Sequence, residues 1–217
     1  MKRITIISGH YGSGKSEISV NLALSKKIDY LVDLDIINPY FRSRGLSEML
    51  AQKSIHLVES TVKGMTGSDL PYVSGEGVVP FVNPDITAIY DLGGTENGAR
   101  VLIQFLDRVK DINEIDFLCS VNIFRPETAN VKGILDTISM YEAETQMKIT
   151  GLINNTNLIN ETLEEDIIRG EGILKEVSKI LHIPIVYTVV EETRKDFNYT
   201  FSGERITLIR YIAKKYL

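Results

Sequence analysis

The sequence has no tryptophan and only one cysteine, Cys119. A lone cysteine excludes an internal disulfide framework. Within the apolar run Asp116-Phe-Leu-Cys-Ser-Val it is expected to be a small buried hydrophobe. The three histidines, His10, His56 and His182, are too scattered for metal-ligand spacing. Long hydrophobic runs are also missing, and no window approaches the ~18 apolar residues of a membrane span. After Met1-Lys2-Arg3 the apolar stretch lasts only from Ile4 to Ile7, short of the roughly 7–15 residues of a signal-peptide core. Excess basic charge is absent too, since 24 Lys+Arg against 29 Asp+Glu leave a net charge of −5. These absences give a cytoplasmic expectation, with neither a membrane nor a nucleic acid as partner.

What is present is ordinary globular material. Hydrophobic residues make up 43% and charged residues 24% of 217 positions, enough for one self-sufficient core. At about 150 residues per domain, the expectation is a single domain over 1–217. Short β-branched runs recur at Arg3–Ser8, Tyr30–Leu34, Ile86–Leu92, Asp116–Ile123, Lys148–Asn154 and Ile183–Val190. Most are continuously apolar, as strands buried on both faces are. Helix-period segments alternate with them at Lys15–Lys27, Phe41–Gln52, Gly98–Val109, Glu127–Thr145, Glu161–Leu181 and Glu204–Tyr216. The alternation predicts a doubly wound α/β fold, a mostly parallel sheet with helices on both faces. The last helix, with Ile206, Ile209, Ile212, Ala213 and Tyr216 at helical spacing, is expected to cover the sheet. The Gly/Pro-rich excursion at about 60–84 breaks the rhythm; it reads either as a surface excursion or as a lid or partner-docking segment.

The chemistry begins at Gly9-His10-Tyr11-Gly12-Ser13-Gly14-Lys15-Ser16, which fits G-x-x-x-x-G-K-[ST] between an apolar strand and an amphipathic helix. Glycines let backbone N–H groups close around phosphate oxygens, and the helix start adds its dipole. Residues 9–16 and the adjoining Glu17 are therefore the nucleotide-binding candidates, with Lys15 neutralising β/γ-phosphate charge and the Ser16 hydroxyl a ligand for Mg²⁺. In an open α/β sheet, ligands sit beyond the carboxyl ends of strands. Two acidic strand ends fall there: Asp33-Leu34-Asp35 and Asp91-Leu92-Gly93-Gly94. Asp91 suits the Walker-B hold on Mg²⁺, and the Gly94 N–H suits the γ-phosphate. Asp33 and Asp35 share a strand face, one to orient attacking water and the other to support the metal.

With the P-loop, the Asp33-Leu-Asp35 strand end followed by Asn38, the Asp91-to-Gly94 segment and Gly151-Leu-Ile-Asn-Asn155, the chain resembles the MinD/ParA/CobQ/CobB group of SIMIBI-class P-loop ATPases. The resemblance runs from Arg3 to about Val190. It implies an ATP hydrolase in which Asp35 positions the water, Ser16 and Asp91 handle Mg²⁺ with Asp33 in support, and Asn155 meets adenine. Many MinD- and ParA-like members carry a second lysine directly after the first loop glycine, where this chain has His10. Histidine is shorter and mostly neutral at pH 7, so homodimerisation around the nucleotide stays open. The small-molecule branch, resembling dethiobiotin synthetase and the cobyrinate amidases, stays in view as an ATP-dependent ligase or phosphotransferase.

Base choice can be read separately. No N-K-x-D tetrad occurs, and Asn154-Asn155-Thr156-Asn157 lacks a carboxylate for the guanine N–H groups. An amide offers one donor and one acceptor, as adenine requires, so ATP is favoured over GTP. Arg42, Arg44 and Arg125 lie near strand ends, as phosphate-assisting side chains or as solvated surface. The leading expectation is a Mg-ATP hydrolase whose switch loops act on a protein partner.

Overall fold

A computed structural model describes residues 1–35, 44–59, 74–109 and 111–212. In chain order its main elements are β1 (Ile4–Ser8), α1 (Lys15–Lys26), β2 (Tyr30–Asp33), α2 (Arg44–Gln52), β3 (His56–Val58), α3 (Val79–Val82), β4 (Ala88–Asp91), α4 (Glu96–Arg100) and α5 (Ile103–Leu106). Then follow β5 (Ile115–Val121), α6 (Val131–Thr145), β6 (Gly151–Asn154), α7 (Glu164–Leu181), β7 (Ile185–Glu191) and β8 (Glu204–Leu208).

The strands form one eight-stranded sheet in the order β3-β2-β4-β1-β5-β6-β7-β8, and every pairing is parallel. Alternation along each strand divides the apolar side chains between two faces. Ile4 and Ile6 of β1, Tyr90 of β4, and Phe117, Cys119 and Val121 of β5 join one core with Phe105 of α5, Ile138 and Tyr141 of α6, and Leu174 of α7. Ile7, Ile89 and Leu118 turn to the other face, where Ile18 and Leu22 of α1 and Leu46 and Leu50 of α2 meet them. A strand with an apolar residue on both faces has to be covered on both, and this explains the continuous apolar runs of β1 and β5. The result is the expected three-layer α/β/α sandwich.

The topology places the site. After β1 the chain builds β2 and β3 on one side, returns to insert β4 next to β1, and then crosses to β5 on β1's other flank. The carboxyl end of β1 lies at that change of direction, the position where open α/β sheets take ligands.

The C-terminal expectation is overturned. Glu204–Leu208 is a strand, pairing with β7 from Tyr187↔Glu204 to Glu191↔Leu208. Ile206 and Leu208 are buried while Thr207 between them is exposed, a period of two that the wider three-to-four spacing of isoleucines concealed. The open edge of β7 and the β-branched Ile206 and Thr207 decide for a strand. Residues 209–212 continue without helix, and residues 213–216 of the expected helix lie outside the described ones.

Smaller differences follow the same logic. The helix expected over Gly98–Val109 is divided into α4 and α5 by a turn at Val101-Leu102. Helix α6 starts at Val131, because the Asn130 side chain accepts from Gly133 N and caps it there. Strand β3, three residues at the sheet edge, has no counterpart in the sequence reading. Residues 60–73 of the Gly/Pro-rich stretch and 36–43 after Asp35 lie outside the described residues. The described end of that stretch, Gly75–Val82, forms a 3₁₀ turn and α3. Among the described residues no helix is long and apolar enough to cross a membrane.

Candidate functional site

The loop from Gly9 to Gly14 leaves β1 and delivers Lys15 as the first residue of α1. Gly14 holds φ 81° at the helix start, a left-handed conformation that side chains disfavour. A Cβ there would also lie 2.1 Å from Asn155 Nδ2. Asn155 comes this close because its Nδ2 donates to the Ser13 carbonyl at 2.7 Å, and Ser120 Oγ donates to the same oxygen at 2.9 Å. The loop is thus held from behind by the ends of β5 and β6, and the first-turn N–H groups of α1 point outward at an anion-binding position.

Lys15 and three aspartates converge beside this loop. Lys15, Asp33, Asp35 and Asp91 are all buried. Asp33 and Asp91 are cross-strand neighbours on β2 and β4. Ser16 Oγ donates to Asp91 Oδ2 at 2.5 Å, and Ser19 Oγ lies 3.5 Å from Asp91 Oδ1. Asp33 Oδ1 accepts from the Asp35 backbone N–H at 2.9 Å, which fixes the turn that presents Asp35. Burial pushes the Asp91 carboxyl up to about 7, against the pull of Lys15 and the Ser16 hydroxyl. Asp33 is also held well above the carboxylate range, by burial first and then by Asp91. Burial lowers the Lys15 ammonium, while Asp91 and Asp35 counteract it. Carboxylates under this strain are relieved by a bound cation.

Gly94 packs over the loop. A Cβ on it would lie 2.8 Å from Tyr11 N and 3.1 Å from Lys15 Nζ, so only a bare backbone fits there. Tyr11 itself is half exposed. The His10 ring is 3.5 Å from Glu127 Oε2 and 3.1 Å from the Tyr11 carbonyl. Glu17 also lines the cleft, and its two carboxylate oxygens accept the backbone N–H groups of Tyr211 (3.0 Å) and Ile212 (2.9 Å). Its side chain therefore braces the site and is not the group that meets a phosphate.

These residues border a cleft of about 420 Å³ that runs from Tyr11, Lys15, Ser16 and Asp35 past Asn155 and Asn157 to the ends of β7 and β8. Its far end has apolar walls from Ile159, Val189 and Leu208 with Glu191 and Arg210 between them. Glu191 pairs with both Arg210 and Arg194. Among the described residues no cluster of His, Cys, Asp and Glu forms a metal cage. A hydroxyl and one or two carboxylates beside a phosphate chain nevertheless suit Mg²⁺, which keeps waters and substrate oxygens as ligands.

The structure brings Lys15, Ser16, Asp33, Asp35, Asp91, Gly94 and Asn155 around one loop. Three contributors were missed in sequence. The buried Tyr141 hydroxyl lies 2.8 Å from the Gly9 carbonyl and 2.9 Å from the Gly93 carbonyl, joining the loop to the Asp91–Gly94 segment. Glu191 and Arg210 come from the sheet edge. No local pattern marks them, since each acts only through tertiary placement.

No protein-family model matches the sequence, and no curated protein does. Solved structures do match. The cell division protein FtsY of Thermotoga maritima is similar with a TM-score of 0.60 at 16% identity, covering 91% of this chain and 64% of that one. The signal recognition particle receptor FtsY of Elizabethkingia anophelis gives 0.54 at 17%, covering 92% and 62%. The same receptor in complex with GDP gives 0.51 at 18%, covering 93% and 61%. The chain has the α/β fold of the P-loop NTPases. It spans less than two thirds of the length of each of these structures, and at such identities the likeness speaks for the fold alone.

Proposed function

We propose that the chain is a cytoplasmic, Mg²⁺-dependent ATPase whose nucleotide state acts on a protein partner, in the manner of the MinD/ParA-like group. The observation that carries this reading is the convergence of Lys15, Ser16, Asp91 and Asp35 on the loop at the end of β1. The loop's N–H groups bind the phosphates, and the Lys15 ammonium neutralises charge at the β/γ bridge. Bound with the nucleotide, Mg²⁺ would be held by Ser16 and, through water, by Asp91 and Asp33, and would supply charge neutralisation on the β- and γ-oxygens. Asp35, fixed by its N–H bond to Asp33, orients the attacking water. The Gly94 N–H meets the γ-phosphate, so its loss on hydrolysis releases the Asp91–Asn97 segment. The switch segment expected over Asp33–Arg44 lies outside the described residues from 36 to 43.

A guanine nucleotide is the second reading, and Glu191 is the observation that favours it. The carboxylate absent from the Asn154–Asn157 tetrad stands in the wall of the same cleft, able to accept two guanine N–H groups. The likeness to an FtsY structure with GDP supports the same reading. ATP remains first because Glu191 already pairs with two arginines. Calorimetric titration with MgATP and MgGTP separates the two. The Lys15→Ala variant should bind neither, and binding that survives this substitution would place the site elsewhere.

A further inference from the structure

The β5–α6 turn carries a cation that the phosphate-binding machinery above does not use. Arg125 Nε donates to the Gly12 carbonyl on the P-loop at 3.0 Å. Its guanidinium lies over Gly12: a Cβ there would be 2.7 Å from Nε and 2.9 Å from Cζ. The side chain lines the same cleft as Lys15 and Asn155. Its mount is rigid. The Arg125 N–H donates to the Asn122 carbonyl, the buried Thr128 Oγ1 donates to the same carbonyl at 2.7 Å, and Asn122 Nδ2 donates to the Asn157 carbonyl.

Charge decides what this arginine is for. Arg194 and Arg210, the other cleft arginines, pair with Glu191. Lys15 stands close to Asp91 and Asp35. Among the described residues, no carboxylate forms an ion pair with Arg125. One N–H is spent on the loop, and four of a guanidinium's five donors remain. At loop position 10, next to the first glycine, there is a histidine engaged with Glu127 rather than a lysine.

We infer that Arg125 binds the nucleotide's phosphate chain in cis, as a fixed guanidinium closing the outer side of the P-loop. This rests on the nucleoside-triphosphate reading above and names a residue which that reading does not need. An arginine held by one N–H on the loop backbone is pre-oriented, so little side-chain freedom is lost when a phosphate oxygen takes the others.

The test is titration of MgATP into wild type, Arg125→Ala, Arg125→Lys and Arg125→Gln at low and high salt, with adenosine as the uncharged probe. Gln keeps an N–H for the Gly12 carbonyl and removes the charge. Expected are a loss of at least about tenfold in MgATP affinity for Ala and Gln, partial recovery with Lys, and a gap from wild type that narrows in salt. Adenosine binding should be unchanged. Wild-type affinity in the Gln variant would make Arg125 a brace for the loop only and overturn the proposal. Wild-type affinity in the Ala variant would overturn it as well. In both cases the nucleotide reading would stand. Absence of MgATP and MgGTP binding by the wild type would remove both together. Because Arg125 is exposed, the variants should melt within a degree or two of wild type without nucleotide.

Discussion

Ser16 Oγ donates a 2.5 Å hydrogen bond to Asp91 Oδ2, joining the first turn of the P-loop helix to the end of the neighbouring strand. That bond rests on a carboxylate which burial disfavours in its charged form. Two opposite demands therefore meet at one residue: burial favours a neutral Asp91, and the proposed Mg²⁺ would favour a charged one.

Asp91→Asn should relieve the first demand and abolish the second. Without Mg²⁺ the variant is expected to melt above wild type. With MgATP its stabilisation should shrink at least tenfold in apparent affinity, on the order of the 1.4 kcal/mol that such a factor represents. Thermal melts with and without MgATP check both signs.

The same carboxyl sets a pH dependence. The folded-state value of about 7 lies above the ordinary 3.8, so the unfolded chain binds fewer protons between them. Stability of the Mg²⁺-free protein should therefore fall as pH rises from about 4 to about 7 and level off above. The stability advantage of Asp91→Asn should widen over that interval. Urea melts at several pH values measure it, and a gap constant with pH would contradict the assignment.

Asp35→Ala separates binding from turnover. The Lys15 loop stays intact, so MgATP affinity should remain near wild type while phosphate release slows by roughly 10²-fold or more. Unchanged turnover would remove Asp35 from the water-positioning role.

Tyr141→Phe tests the bridge from α6. Loss of the hydroxyl leaves the Gly9 and Gly93 carbonyls without that donor in a buried place, at a cost of about 1–3 kcal/mol. A lowered melting temperature is expected, together with weaker protection of the Asp91–Gly94 amides in hydrogen exchange.

How much of this is legible in the chain alone depends on the range of the interaction. The P-loop is legible because Gly12, Gly14, Lys15 and Ser16 act within one turn of backbone. Asp33 and Asp91 are legible because they end strands whose apolar runs mark them. Strand β8 is not, since Ile206, Ile209 and Ile212 fit a helix equally well until the edge of β7 and the side chain of Asn21 are placed beside them. Asn21 bonds both the N–H and the carbonyl of Ile209 across 188 positions. Arg125 was visible only as a cation near a strand end; its contact with Gly12 spans 113 positions.

Glu17 grips the backbone of Tyr211 and Ile212 from 194 and 195 positions away. On the ribosome, the P-loop emerges long before the segment that walls its cleft. A growing chain therefore carries a P-loop helix whose buried carboxylate still lacks these two donors, and the cleft is walled only when the residues after β8 arrive. The order of synthesis thus keeps the cleft unfinished until the sheet around it is complete.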